Sequence, residues 1–365
     1  MRRTGALILG GGPAGCAAAI RLATADHAVT VVERRRTMDD GVCGGFLGPD
    51  GMAALAELGI RPADIDARPI RAVRVSDGRH NRSIALPFTA HGISRAVMDT
   101  LLMDRARLAG AEVRAGVVRS LDASGARLAS GEQLAADAIM LATGKHGLRG
   151  SPRRADAAGR GAVGLRWTIR PDRTLLAALD GMVDLIPFRH GYAGVLLRGD
   201  GTANVCLSVA QDRLRDAGGT DALLSELASE QPGFAALLDR ERLGPVNSVA
   251  DVPYGWRARR PAHGAYRLGD QAAVIASIVG DGMAIALNSG VMAANALIGG
   301  GDSATFQSGF ARTAQRPLAI AQALRWGTER PIARRALFAL AGIAPGWVAR
   351  AAAATRIVAT PGSND

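Results

Sequence analysis

Three glycines, Gly10, Gly12 and Gly15, stand in the spacing GxGxxG within GGGPAG, directly after the apolar stretch GALILG. Backbone without Cβ at these points lets N–H groups and the start of a following helix approach a diphosphate, and Pro13 with Ala14 suits that helix's first turn. Glu33 follows 18 residues after Gly15, at the end of a second apolar stretch, AVTVVE, where a carboxylate can accept from ribose hydroxyls. A glycine turn selected only for packing would not require that acid. The combination therefore predicts a bound dinucleotide.

Other residues with chemical potential are scattered. Cys43 lies in VCGGFLG, a few residues beyond the second predicted strand. The thiol reads as a small residue beside glycines in preference to a proton donor, although both readings are kept. His190 and Tyr192 fall in LIPFRHGYAGVLL and are candidates for moving a proton, against the plainer reading of a loop histidine and a core tyrosine. The remaining histidines show no metal-ligand spacing, so no metal is expected. GxSxG is absent, and Lys145 does not complete a phosphate loop because Ile139 stands where GxxxxGK needs glycine.

The 365 residues suffice for two lobes with a sizeable core, and 48% of them are hydrophobic. The net charge of +11 comes almost wholly from arginine, since Lys145 is the only lysine. The arginines are mixed with acids and accompany no recognition motif, which excludes nucleic acid as the expected partner. Cys16, Cys43 and Cys206 form no CxxC pair, as suits a reducing compartment, and the expected location is the cytoplasm. The start of the chain does not read as a secretory signal, and its apolar runs fall short of the ~20 residues of a membrane span.

The elements that must position these residues begin with a βαβ unit: strand 5–10, helix 13–25, strand 28–33. A helix over 94–109 places Val97, Leu101, Leu102, Ala106 and Leu108 at helical spacing, with Ser94 as N-cap. Strand-like runs over 161–210, broken by glycine and proline turns, predict an antiparallel sheet that a hairpin over 70–87 joins. Helices are predicted over 212–243 and 283–298, and from there to about residue 355. The expected fold is α/β: a discontinuous Rossmann-type lobe (1–69, 88–160, 251–315), an antiparallel substrate lobe (70–87, 161–250) and C-terminal helices (316–365). The arginine-rich tail reads as a layer docked on the sheet in preference to a helix lying on an anionic membrane.

GGGPAG, ERR at 33–35, SRxxxD at 94–99, ATG at 142–144, LGD at 268–270 and GDGM at 280–283 occur in this order. Together they resemble the FAD-dependent oxidoreductases of the para-hydroxybenzoate hydroxylase and geranylgeranyl reductase type. The resemblance implies FAD, with Gly10, Gly12, Pro13, Ala14, Gly15, Glu33, Arg34, Arg35, Ala142, Thr143 and Gly144 among the residues that bind it. It further implies that Arg95 reaches the phosphates or ribitol, that Val118 meets adenine through its backbone, and that Asp270, after Gly269, accepts from the ribityl chain. Gly280, Gly282 and Met283 would open a helix under the flavin's pyrimidine, and Cys43 with Gly44 and Gly45 would pass the ring edge, where side chains would collide.

The turn after ATG lacks the aspartate that serves nicotinamide delivery in aromatic hydroxylases. The electron donor is therefore left between NAD(P)H and a separate flavin reductase. The preferred expectation is a monooxygenase that forms a C4a-hydroperoxyflavin and oxygenates a bulky apolar substrate, aromatic, polyketide-like or isoprenoid-like. The alternative is an alkene reductase or dehydrogenase of the geranylgeranyl reductase type. A flavin halogenase ranks lower, because WxWxIP is represented only by Trp167 and Lys145 sits in a glycine turn, and so does a non-catalytic flavin-fold protein.

Overall fold

The computed structural model describes residues 3–76, 80–153 and 161–357. Parts of the expected lobes at 1–2, 77–79, 154–160 and 358–365 lie outside the described residues. In chain order the first half contains β1 (Arg3–Leu9), α1 (Pro13–Thr24), β2 (Val29–Glu33), β3 (Phe46–Leu47), α2 (Pro49–Glu57), β4 (Arg68–Ser76), β5 (Asn81–Gly92), α3 (Arg95–Leu108), β6 (Glu112–Ala115), β7 (Val118–Asp122), β8 (Gly125–Leu128) and β9 (Gln133–Leu141). The second half contains β10 (Ala162–Ile169), α4 (Arg173–Leu179), β11 (Met182–Phe188), β12 (Gly191–Leu197), β13 (Ala203–Ala210), α5 (Gln211–Asp216), α6 (Thr220–Glu230), α7 (Pro232–Leu238), β14 (Asn247–Val252), β15 (Tyr266–Arg267), α8 (Gly282–Ile298), α9 (Ser303–Glu329), α10 (Pro331–Ile343) and α11 (Pro345–Ala354).

The first sheet runs β6-β2-β1-β9-β8-β7, with β15 also on β9. β6, β2, β1, β9 and β15 pair in parallel, and β8 with β7 forms an antiparallel extension. Strands buried on both faces explain the apolar run of GALILG. α1 and α8 pack tightly: a Cβ on Gly290 would come within 2.3 Å of the Ala14 carbonyl oxygen. That contact sets the first turn of α1 against the middle of α8.

The second sheet runs β14-β10-β13-β12-β11-β4-β5-β3. It is antiparallel except for β4 beside β11, a parallel pair created because the two insertions enter the sheet separately. The sheet continues beyond the expected hairpin, taking in β5 as far as Gly92 and the short β3. The division expected after residue 315 is not marked by any break, since α9 runs through it with Pro317 buried in its interior.

Side-chain alternation in this sheet separates stability from function. Val163, Leu165, Trp167 and Ile169 of β10, with Val205 and Leu207 of β13, face Leu223, Leu227 and Phe234 on α6 and α7. Burying such side chains stabilises by roughly 1.5–3 kcal/mol each. The alternate positions, Arg166 on β10 and Asn204, Cys206 and Ser208 on β13, fall on the opposite face, toward the first lobe. One correction concerns α3: Leu102 and Ala106 are buried as expected, but Val97 and Leu108 face solvent. Met98, Met103 and the fully buried Asp99 supply the rest of the inward face.

Candidate functional site

The glycine turn is shaped by backbone contact. Gly10 has φ +112°, and a Cβ there would lie 2.4 Å from the Ala142 carbonyl oxygen; one on Gly15 would lie 1.9 Å from the Gly10 oxygen. Gly12 is the N-cap of α1 with nothing within 4 Å of its Cβ position and no capping side chain, and Pro13 opens the helix. Ala14 and Gly15 therefore present N–H groups that no capping side chain claims.

Glu33 ends β2 beside this turn. Its Oε2 accepts from the Gly11 N–H at 2.6 Å, and its Oε1 accepts from the Arg35 N–H at 2.9 Å and Nε at 3.0 Å. Burial pushes the carboxyl pKa up, but the Arg35 N–H and guanidinium and the Gly11 N–H outweigh it and hold the group below its usual range. Arg35 also pairs with Asp39 at 3.3 Å. Arg34 is exposed and meets the His146 ring at 2.6 Å. The chain reaches Val118 through Gly116, whose N–H donates to the Glu33 carbonyl at 2.9 Å.

Across the turn, Thr143 donates to the His146 carbonyl at 3.3 Å and Gly144 takes φ +62°. Buried Gln271 donates to the Gly144 and His146 carbonyls at 2.8 and 3.0 Å, joining this segment to the LGD turn. There Gly269 takes φ +55° and donates to Ser289 at 2.8 Å, while the Asp270 carbonyl accepts from Arg153 at 2.9 Å. Gly280 takes φ +75° and a Cβ would strike Phe46 at 2.5 Å; Gly282 opens α8 into clear space, with Met283 buried behind it. No side chain caps α8, although α3, α4 and α9 are capped by Ser94, Asp172 and Asp302.

The Cys43 segment is held from the sheet lobe. Asn204 Nδ2 donates to the Cys43 and Gly44 carbonyls at 3.0 and 2.8 Å, and Asn204 Oδ1 accepts from Arg166 Nε at 2.6 Å. Arg166 and Arg198 both pair with Asp40, which also accepts from Ser94 Oγ at 2.9 Å and the Ala96 N–H at 3.0 Å. Burial raises the Asp40 carboxyl pKa, but the Ala96 N–H and the two guanidiniums overcome it and bring it down to about 2. Asp40 is thus a hub between the lobes. Its legible trace in the sequence was on the other side: arginines inside apolar strands, which burial obliges to find an acid.

Arg95 grips the fully buried Asp99 through Nε at 2.8 Å and Nη2 at 2.6 Å, with the Cys43 side chain near its guanidinium. Gly44 has nothing within 4 Å of its Cβ position, consistent with space for a ring; Gly45 does not follow that rationale. It takes φ +73° and its Cβ would meet the Ile93 carbonyl at 2.9 Å, so turn conformation and strand pairing account for it.

Lys145 is in the glycine turn, as read from the sequence, but its ammonium reaches across to the Val42 carbonyl at 2.7 Å. Burial lowers its pKa, and the charge of Asp270 more than compensates, so the ammonium titrates above its ordinary range. The only lysine of the chain therefore stands between the Asp270 turn and the Cys43 segment.

An apolar cavity of about 240 Å³ opens beyond Gly44 and Gly280. Its sheet wall includes Val73, Leu185 and Leu196, and its roof is made by α9, α10 and α11 through Leu324, Phe338 and Ala351. Tyr192 and Cys206 line it too. The Tyr192 hydroxyl donates to Ser277 at 2.6 Å, and Ser277 meets Tyr254 at 2.6 Å. Burial raises the pKa of the Tyr192 phenol well above its ordinary range. His190 does not join the site: it is exposed at the β11–β12 turn with φ +63°, its backbone bonded to Glu329 and Ala210. Among the described residues, no group of three or more His, Cys, Asp or Glu side chains is placed to hold a metal.

Glycines whose missing Cβ atoms leave clear space, two uncapped helix starts and a ribose-range carboxylate fit a dinucleotide lying from α1 to α8. Residues 5–166 match the pyridine nucleotide-disulphide oxidoreductase family. No curated protein matches the chain. A flavin-dependent brominase has the same fold with a TM-score of 0.76 at 16% identity, over 98% of this chain and 94% of its own. A geranylgeranyl bacteriochlorophyll reductase-like protein from Thermoplasma acidophilum gives 0.70 at 20% identity, over 99% and 94%. A probable FAD-dependent monooxygenase from Pseudomonas aeruginosa gives 0.70 at 17% identity, over 92% and 100%. The chain has the fold of the FAD-dependent oxidoreductases, and FAD is the cofactor that the matches support.

Proposed function

We propose that the chain is an FAD-dependent monooxygenase acting on a bulky apolar substrate. The observation that carries this reading is the cavity of about 240 Å³, apolar on sheet and roof, ending on Gly44 and Gly280. FAD supplies the redox chemistry: once reduced, by NAD(P)H or by a separate flavin reductase, it activates dioxygen. In this reading Gly10, Gly12, Gly15 and Glu33 hold the adenosine and diphosphate end, and Asp270 holds the ribityl chain. The Gly282 and Met283 amides, at the positive end of the α8 dipole, favour an electron-rich ring. The protein's remaining task is to orient the substrate and exclude water, which the apolar walls do.

A specific observation favours one second reading, reduction of a substrate double bond. Tyr192, Ser277 and Tyr254 form a hydroxyl chain at the cavity wall that can pass a proton to a carbon centre. The two are separated by reducing the purified flavoprotein anaerobically, then supplying an apolar alkene or aromatic substrate with isotopically heavy dioxygen. The monooxygenase reading expects heavy oxygen in the product. Unlabelled product with a reduced double bond, formed only under nitrogen, would transfer the chain to the second reading.

A further inference from the structure

Helix α10 is apolar on two opposite faces. Inward, Leu337 and Phe338 line the cavity. Outward, Ile332, Leu340 and Ile343 follow helical spacing and face solvent, with Ile332 85% and Ile343 84% exposed. Trp326, 55% exposed near the end of α9, stands beside them, and the Arg330 guanidinium lies 4.3 Å over its ring. Half of the exposed large hydrophobic side chains among the described residues thus fall within 326–343. An apolar helix face is normally covered, and an exposed apolar patch of this kind marks an interaction surface.

Charge identifies the covering. Residues 303–357 contain eight arginines and one acid, Glu329. Glu329 is already bonded to Arg325 at 2.6 Å, so it does not offset the arginines nearer the patch. Arg316, Arg330, Arg335 and Arg350 are exposed. Two such faces would repel each other, which argues against a second copy of the chain. A plane of anionic headgroups satisfies both features at once, taking the arginines at its surface and the isoleucines and tryptophan just below.

We propose that the outward face of α10, with Trp326, seats on an anionic lipid surface, and that the cavity on the helix's other side takes its substrate from that surface. The second half rests on the function proposed above; the docking does not. This reverses the ranking drawn from the sequence, where charge was visible and exposure was not. The tail does dock on the sheet, but with only one of its faces.

The test is flotation of the FAD-loaded protein with vesicles of phosphatidylcholine alone or mixed with phosphatidylglycerol, which needs no turnover. The protein should float with the mixed vesicles at low salt, lose binding as salt rises, and bind phosphatidylcholine poorly. Ile332→Glu combined with Ile343→Glu should lower partitioning by ~100-fold while flavin absorbance is unchanged. Absence of binding to mixed vesicles, or binding that the double variant leaves intact, overturns the docking. Concentration-dependent self-association that the double variant abolishes, without vesicle binding, would assign the face to a second copy and also overturn it. Docking accompanied by no flavin spectral change when an apolar ligand is added would instead count against the cavity as the substrate site.

Discussion

The dinucleotide end and the cavity end of the cleft are built by different means. At the first, backbone meets backbone: Gly10 against Ala142, Gly15 against Gly10, Gly290 against Ala14. At the second, side chains from distant segments converge, as when Asp40 meets Arg166 and Arg198, 126 and 158 residues away. A backbone-built site has almost no alternative residues. A side-chain-built site can be rewired, and its failures should be graded.

The largest expected effect comes from forcing a side chain into the backbone-built end. Gly15→Val places atoms where 1.9 Å separates the Cβ position from a carbonyl oxygen, so the turn must open. Overpacking of this kind costs about 1–3 kcal/mol or more, and with the turn forced open FAD stoichiometry measured by absorbance should fall below detection. A variant that keeps its FAD would erase the proposed distinction.

Asp40→Asn should leave FAD bound and act on stability alone, lowering it by about 3 kcal/mol in thermal or denaturant unfolding, because Arg166 and Arg198 lose their shared charge in a partly buried site. Its pH dependence sharpens the assignment. The folded-state pKa is depressed to about 2 from 3.8, so the contribution is fully present above about pH 4 and is lost as pH falls through 2. In Asp40→Asn the stability curve over that acid window should be flatter than in the parent protein. Identical slopes would remove Asp40 from its role as the hub.

The smallest effect is expected at Cys43. Its carbonyl, which Asn204 holds, survives any substitution, and its sulfur only lies near the Arg95 guanidinium, which Asp99 already holds. Cys43→Ala should retain FAD and keep turnover within about threefold, whereas loss of ~10²-fold or more would make the thiol a proton donor.

Legibility in the sequence follows the same divide. The βαβ unit, the glycine turn, Glu33 and the strands of 161–210 were readable because each depends on neighbours in sequence, the strands as short apolar runs bounded by glycine and proline turns. The Asp40 hub, the reach of Lys145 and the roof of the cavity were not, because they depend on how separate segments come together. His190, two residues from Tyr192 in the same stretch, parts from it for a related reason: the tight turn with φ +63° leaves it exposed while Tyr192 is buried at the cavity. Gly45 was rationalised by a ligand where strand geometry suffices.

Arg356 has a consequence for assembly order. It reaches back to Asp281 at 3.3 Å and to Asp50, 306 residues earlier, while Ile357 is fully buried and its carbonyl accepts from Asn288. These residues close the packing behind α8, the helix whose start belongs to the cofactor site. The first lobe is therefore completed by a residue made 306 positions after Asp50 of its second helix. Until residues 356 and 357 have been made, Asp50 on α2 and Asp281 at the start of α8 lack their shared guanidinium, and contacts of such sequence separation form slowly. A nascent chain interrupted anywhere before that point carries the glycine turn and the acid in order, yet has an unfinished floor beneath them.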